Sequence, residues 1–418
     1  MPTRAEIEAR QTTLLRELLA RVPPHTLYGR KFAGLAAPNS LAEFTRAYPF
    51  TSKSELAEDQ RKNPPFGTVL LEPIERYTRF HQTSGTTSSP IRWLDTPEAW
   101  SNIVDCWVEV FKAAGVHTAD RVFFAFSFGP FLGFWTAFNA AQRLGCLCLS
   151  AGGMSSSARL RMLLDTEATV LCCTPTYAAR LAECAAEENI DLSRSRIRKI
   201  LVAGEAGGSI PSIRAKLEQL WPGARVFDHH GMTEVGPVTY ECPAQPCRLH
   251  VMEHAFLAEI LDPKTNAPVP PGQPGELILT TLVRHSSPLF RYRTGDLVRA
   301  STDATCACGR TELALEGGIL GRADDMAVVR GVNIFPSAIE EILGNFPDIA
   351  EYRVTLHTIN SLTELELEIE SRPTAPDDLA TQIQRSLQTA FNLRIPVQTV
   401  PPNTLPRSEM KSKRWLRA

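Results

Sequence analysis

Between residues 120 and 230 short apolar runs alternate with stretches of helical period, and few folds accept that pattern. The runs are DRVFFAFSF (120–128), CLCLS (146–150), VLCC (170–173), KILVAG (199–204) and ARVFDHH (224–230). Helix-like segments separate them at 131–144, before 165, at 177–188 and at 209–220. A strand that is apolar on both sides needs cover on both faces. Helices between consecutive strands supply that cover in parallel βαβ units. The pattern changes at 255–297, where FLAEIL, GELILTTL and LFRYRTG are divided by PKTNAPVPPGQPG, as in a β-rich subdomain with hairpins. After GRADDMAVV (321–329) comes a small α+β tail. Its helices are SAIEEIL and DDLATQIQRSLQTAF, and its strands are EYRVTLHT, TELELEIE and VQTVP. Residues 1–75 read as helices parted by RVPPH, AYPF and NPPFG. The expected fold class is α/β, with a large N-terminal domain over 1–321 and a small α+β domain over 322–418.

Composition narrows the function. At 418 residues the chain can build two or three domains, and 43% hydrophobic with 22% charged residues suits a globular protein. A net charge of −2 gives no basic field to hold a polyanion, so no nucleic-acid partner is expected. No run of about 18 apolar residues occurs, so no transmembrane helix is expected. The N-terminus mixes charges at helical spacing and reads as an amphipathic helix, not a signal peptide. Of the ten cysteines, Cys106, Cys146, Cys148, Cys172, Cys173 and Cys184 lie in apolar segments, as small buried hydrophobes do. No dense disulfide framework is present, which points to a reducing cytoplasm.

The segment HQTSGTTSSP (81–90) has Ser or Thr at six of its ten residues and Gly at one. It has no apolar side chains for a core. Its small residues let backbone approach a ligand, and its hydroxyls and N–H groups can donate to an anion. With RYTRF before it and IRW after it, the segment reads as a tight loop between two strands. It matches neither GxxxxGK[ST] nor GxGxxG. DHHGMTEVG (228–236) closes a predicted parallel strand, at the end where α/β folds bind ligands. FRYRTGDLV (290–298) carries Asp296, a carboxylate able to accept two hydrogen bonds at once. GRADDM (321–326) offers Arg322, whose guanidinium forks onto phosphate. LPRSEMKSKR (405–414) offers Lys411, a charge on a flexible stem.

In this order the five segments resemble the motifs of the adenylate-forming enzymes, the superfamily of acyl-CoA synthetases, luciferases and peptide-synthetase adenylation domains. Thr83, Ser84, Gly85, Thr86, Thr87 and Pro90 match [ST]SGTTGxP, with Ser88 and Ser89 departing from it. Gly231, Thr233 and Glu234 match YGxTE, with His230 in place of Tyr. Residues 292–296 match YRTGD, Arg322 and Asp324 match GRxDD, and Lys411 matches the Lys of the terminal GKxxR, with Met410 in place of its Gly. GGMSS (152–156), VAGEAG (202–207) and RGVNIFPSAIEEIL (330–343) resemble phenylacetate–CoA ligases in particular. The resemblance runs from about residue 49 to the C-terminus.

The resemblance implies roles. Thr83, Ser84, Gly85, Thr86, Thr87, Gly204, Glu205, Ala206, His230, Gly231, Met232, Thr233 and Asp296 would form the nucleotide site, His230 against adenine and Asp296 on the ribose. Glu234 would hold Mg²⁺, while Arg322 and Lys411 would act on phosphate and carboxylate. Asp324 would be the hinge of a rotating C-terminal domain, and Gly331 would border the CoA tunnel. Phe126, Phe128, Phe131 and Trp135 would line a flat apolar slot for an aromatic acid, although core packing accounts equally for some of them. Cys242, His250, Cys306 and Cys308 resemble a structural zinc site, with Cys247 as a substitute; four free thiols in loops are the alternative. The implied activity is ATP- and Mg²⁺-dependent activation of an aryl acid and transfer to CoA by a cytoplasmic homodimer. Two other readings stay open. One passes the acyl group to an amine, a carrier-protein thiol or another acceptor. The other binds nucleotide or acyl ligand without turnover.

Overall fold

The computed structural model describes residues 1–83, 90–323, 327–330, 332–359, 362–407 and 414–417. Its centre is a five-stranded parallel sheet in the order Leu147–Ser150, Arg121–Phe124, Val170–Cys173, Lys199–Val202, Arg225–Asp228. Neighbouring residues face opposite ways. Val122, Phe124, Val170, Cys172 and Leu201 enter one core, whereas Phe123, Leu171, Cys173, Ile200 and Val202 enter the other. Burial on both faces is what the unbroken apolar runs require.

Helices cover each face, and their starts are written locally. Thr174 caps Pro175–Glu187 and Ser155 caps Ser156–Asp165 through side-chain oxygens. The helix Pro97–Ala113 is absent from the sequence reading above, yet it is central. Thr96 caps it, and it buries Trp100, Ile103, Val104, Trp107 and Phe111. The aromatic run 120–128 is a strand only to Phe124. The chain then leaves the sheet through Gly129 and Pro130 and enters the helix Leu132–Arg143.

Beyond the parallel sheet the chain is antiparallel, as 255–297 suggested. Phe256–Leu261, Pro274–Thr281, Tyr292–Arg299 and Gly321–Arg322 form one sheet. Its third strand starts later than LFRYRTG implied, because Arg291 at φ 45° breaks the extended run. Thr239–Glu241, Arg248–Val251 and Ala314–Glu316 form a second, smaller sheet. The tail is a mixed sheet in the order Val397–Val400, Leu362–Ser371, Ile349–Ile359, Trp415–Arg417, packed with the helices Pro336–Gly344 and Leu379–Phe391. The last strand, parallel to Ile349–Ile359, was not expected.

The tail also holds a misfit acid. Glu340 accepts the Tyr352 hydroxyl at 3.0 Å through Oε1, but its enclosed Oε2 has no partner among the described residues. Burial, only partly offset by Arg414 and by the Tyr352 hydrogen bond, pushes this carboxyl up to about 7. The folded chain therefore keeps the proton that the unfolded chain releases near the ordinary carboxylate value, and stability from the neutral form is lost as pH rises towards 7. Glu340→Gln keeps a neutral group at every pH. Urea unfolding should show it more stable than the parent at pH 8 by about 1–2 kcal/mol, with no gain at pH 5.

Candidate active site

The C-terminal ends of the parallel strands carry the polar residues. Lys199–Val202 runs into a turn in which Gly204 has φ 93° and Glu205 accepts the Thr176 N–H at 2.8 Å. Ala206 shares that turn. Gly207 lies so near Pro175 that a Cβ would fall 2.7 Å from it, which fixes the turn against the neighbouring helix. The adjacent strand ends at Asp228, whose carboxyl accepts the Ser209 hydroxyl at 2.5 Å and is pushed up to about 6 by burial. His229 turns inward, edge-on to Trp107 at 4.3 Å, and burial lowers its imidazole to about 3. It is a neutral packing residue.

His230 turns the other way. Its Nε2 lies 2.9 Å from Asp296 Oδ2, and Arg322 Nη1 lies 3.0 Å from Asp296 Oδ1. Asp296 and Arg322 face each other across adjacent strands. Gly295 makes room for this pair, because a Cβ there would meet the Arg322 guanidinium at 2.6 Å. Burial alone would raise the Asp296 carboxyl, yet the hydrogen bonds and charges of His230 and Arg322 hold it below the ordinary range. Three of the residues picked out in separate motifs therefore meet around one carboxylate.

Gly231 and Met232 pair with 236–237 in a tight hairpin, where a Cβ on Gly231 would strike the Gly236 carbonyl at 2.8 Å. Within this hairpin Glu234 is buried and accepts the Tyr292 hydroxyl at 2.7 Å. Burial and the Glu234 charge push the Tyr292 hydroxyl well up, so it remains a donor. Thr83 stands at the near end of the hydroxyl-rich segment. Its N–H donates to the Ile91 carbonyl and its Oγ1 accepts the Ile91 N–H, both at 3.0 Å, which pins the two ends of the hydroxyl-rich loop together.

Sequence reasoning missed the contact that joins these parts. Arg284 and Asp95 are both wholly buried, and the guanidinium grips the carboxylate at 2.6 and 2.5 Å. The third arm of Arg284 donates to the Thr233 carbonyl at 2.7 Å. Asp95 ends the strand Arg92–Asp95, which pairs with Arg79–Gln82 on the near side of the loop. A buried Arg–Asp pair has no short-range sequence signal, since the partners are 189 residues apart.

The aromatic residues gather beside this crest. Phe126 stacks on Phe134 at 4.0 Å, Phe128 meets Trp135 at 5.1 Å, and Phe131 lies 6.1 Å from Phe134. Trp135 donates from Nε1 to the Gly129 carbonyl at 3.0 Å, bracing the segment between strand and helix. Phe134, which makes ring contacts with both Phe126 and Phe131, was not singled out in the sequence.

A second cluster sits in the small antiparallel sheet. Strand pairing sets Tyr240 opposite His250, and the loop before Ala314–Glu316 folds over them. Cys242, His250, Cys306 and Cys308 each offer a ligand atom, all within 4.8 Å of one another. Cys242 Sγ is 3.5 Å from Cys306 Sγ, and Cys308 Sγ is 3.4 Å from His250 Nε2. Cys247 is not one of the four; its N–H donates to Glu241. Ser84, Gly85, Thr86, Thr87, Asp324, Gly331 and Lys411 lie outside the described residues.

Comparison with known proteins fits this geometry. Residues 78–281 match the AMP-binding enzyme family, and residues 331–417 match the AMP-binding enzyme C-terminal domain. The phenylacetate–coenzyme A ligase of Pseudomonas putida is 31% identical over 402 residues, covering 92% of this chain and 88% of that protein. The chain belongs to the phenylacetate–CoA ligase family. Among solved structures, 2-hydroxyisobutyryl-CoA ligase in the postadenylation state with its acyl-AMP superposes with a TM-score of 0.93 at 27% identity, over 100% of this chain and 90% of that one. The same ligase in the thioesterification state, with acyl-AMP and CoA, reaches 0.74 at 29% identity over the same shares.

The buried pair makes a stability prediction for this family member. Asp95→Ala strands the Arg284 charge and should cost about 3–5 kcal/mol, whereas Asp95→Leu with Arg284→Met should cost less than the single change. Urea unfolding of both variants checks the order, and equal losses would remove the ion pair as the cause.

Proposed function

We propose that this chain is an AMP-forming acid–CoA ligase whose acid is aromatic. The observation that carries the reading is the meeting of His230, Asp296, Arg322, Tyr292 and Glu234 at the end of the parallel sheet, in a chain that belongs to the phenylacetate–CoA ligase family. Two half-reactions follow from the chemistry. A carboxylate oxygen of the acid attacks the α-phosphorus of ATP, an O–P bond forms, and the bond to pyrophosphate breaks. The CoA thiol then gives up its proton, its sulfur attacks the acyl carbon, and AMP leaves with the bonding pair.

The residues have distinct tasks in this reading. Asp296, kept ionised by its neighbours, accepts from ribose hydroxyls. His230 presents a flat ring to adenine. Arg322 lies at the edge of the cleft, and it and Lys411 supply positive charge where the phosphate oxygens gain negative charge. Thr83, Ser84, Gly85, Thr86 and Thr87 donate to the leaving phosphates, while Gly204, Glu205, Ala206, Gly231, Met232 and Thr233 shape the wall around the nucleotide. Glu234 offers one buried carboxylate, which with substrate phosphates suits Mg²⁺. That ion would neutralise phosphate charge. Phe126, Phe128, Phe131 and Trp135 form the apolar wall, and a planar ring gains most from such surroundings. Asp324 as hinge, Gly331 beside the CoA path, a boundary after residue 321, a cytoplasmic location and a homodimer complete the proposal. No helix among the described residues is long and apolar enough to cross a membrane.

The Cys242, His250, Cys306 and Cys308 set fits tetrahedral zinc in donor type and spacing. It would tie the loop before Ala314–Glu316 to the sheet.

Pyrophosphate release with a panel of aryl acids, run with and without CoA, tests the activity. Release with a CoA thioester as product is expected. Release without thioester would move the acceptor elsewhere, and no release with any acid would overturn the ligase reading. Metal analysis of the purified protein should find about one zinc per chain, and a value far below that would leave the four side chains as free ligands.

A further inference from the structure

The helix Pro211–Leu220 starts without a cap of its own. Its N-cap is Ile210, which offers no side-chain acceptor, and its first residue is a proline. The acceptor comes from much further along the chain. Glu341 Oε2 takes both the backbone N–H and the hydroxyl of Ser212, each at 3.0 Å. A carboxylate at this end of a helix satisfies free N–H groups and meets the positive end of the helix dipole. Glu341 lies on Pro336–Gly344, a helix that belongs to the C-terminal core. That helix ends at Gly344, where a Cβ would fall 2.2 Å from Ser212 Oγ. Only glycine lets the two helices approach this closely.

The contact has little apolar support. The C-terminal hydrophobic cluster draws on residues between Ala327 and Trp415 alone, and none of its described members comes from the larger part. Two further ties between the two parts are also polar. Ser337 donates to the Leu320 carbonyl, and Arg372 lies 3.7 Å from Glu183.

The overall arrangement is close to that of 2-hydroxyisobutyryl-CoA ligase in its postadenylation state and further from its thioesterification state. We propose that Glu341 is a positioning residue which, by capping the Pro211–Leu220 helix from the C-terminal part, favours the arrangement that makes acyl-adenylate over the one that makes thioester. This inference rests on the ligase reading above. Glu341 touches no reacting atom; it acts through where it holds the C-terminal part.

The test separates the two half-reactions. Glu341→Ala and, independently of charge, Gly344→Ala are compared with the parent in single turnovers. One experiment follows adenylate formation from ATP and phenylacetate, and the other follows thioester formation from presynthesised phenylacetyl-adenylate and CoA. Adenylate formation should slow by about tenfold, as expected for a shift of a two-state population, while thioester formation stays equal or quickens. Amide exchange at 212–214 should speed up, and small-angle scattering should show a more extended particle. Parallel loss of both half-reactions with a lowered melting temperature would mean a merely structural role and overturn the proposal. Unchanged rates with unchanged exchange would overturn it too. If the parent itself makes no adenylate from any acid, the ligase reading fails. Exchange and scattering then decide the latch by themselves: a change in both upholds the docking contact, and no change removes it.

Discussion

The grip of Arg284 on Asp95 is the contact on which the rest of the cleft depends. Both groups are out of water, so each charge is tolerable only because the other is present and every arm of the guanidinium is used. Trp93 lies under the guanidinium at 5.7 Å and adds the quadrupole of its ring. Three stretches far apart in sequence are thereby joined: the hairpin that flanks the hydroxyl-rich loop, the turn that ends in Glu234, and the segment after Pro274–Thr281. That same segment continues to Tyr292, which holds the Glu234 carboxylate from the other side. One piece of chain thus fixes the carbonyl before Glu234 and the carboxylate of Glu234 itself. The Glu234 carboxylate is held by one hydroxyl and the carbonyl before it by one guanidinium arm, so the residue is fixed through both its side chain and its backbone.

The electrostatics of the crest follow from how the sheet is layered. Strands covered on both faces leave only their ends open, so ionisable groups collect there and feel both burial and one another. Asp228, at the end of such a strand, and Asp296, which reaches this end from the antiparallel strand Tyr292–Arg299 through His230, show two outcomes. Asp228, with a hydroxyl as its nearest donor, is pushed up by burial, whereas Asp296, set between His230 and Arg322, is held down. Two carboxyls that burial alone would raise thus end differently, one keeping its proton more readily and one held below the ordinary range. Neighbours, more than burial, decide the difference.

Much of this was legible in the chain. The βαβ alternation was readable because a period of two or of 3.6 is a direct trace of which side faces the core. Residues 228–236 and 290–298 were singled out by their order among the five motifs, and His230 and Asp296 from the two segments lie in contact. The helix Pro97–Ala113 was missed since Ile103, Val104, Trp107, Val108 and Val110 have strand-like preferences. Burial at Trp100, Ile103, Val104, Trp107 and Phe111 overrides those preferences, and Thr96 followed by Pro97 was its local sign. The strand assigned to 120–128 ran too long for a similar reason, because aromatic residues at 126 and 128 are β-prone yet pack across a turn. Arg284 with Asp95 and Glu341 with Ser212 were invisible. Each depends on a meeting between segments separated by 189 and 129 residues, and a single sequence carries no local trace of such a meeting.

The seam between the two parts has a chemistry of its own. Within each part stability comes from dense apolar packing, and the clusters around Trp93, Trp221 and Tyr352 are separate from one another. Across the seam the named contacts are a carboxylate on a helix end, a hydroxyl on a carbonyl and a long ion pair. Groups of this kind exchange protein partners for water at small net cost, whereas separating an apolar face would expose area with a steady penalty. A seam built from polar groups and one close glycine approach is therefore specific in geometry yet easy to release. On the proposed ligase reading, in which the site meets a carboxylate and then a thiol, that combination would let the C-terminal part be placed accurately without being fixed in place.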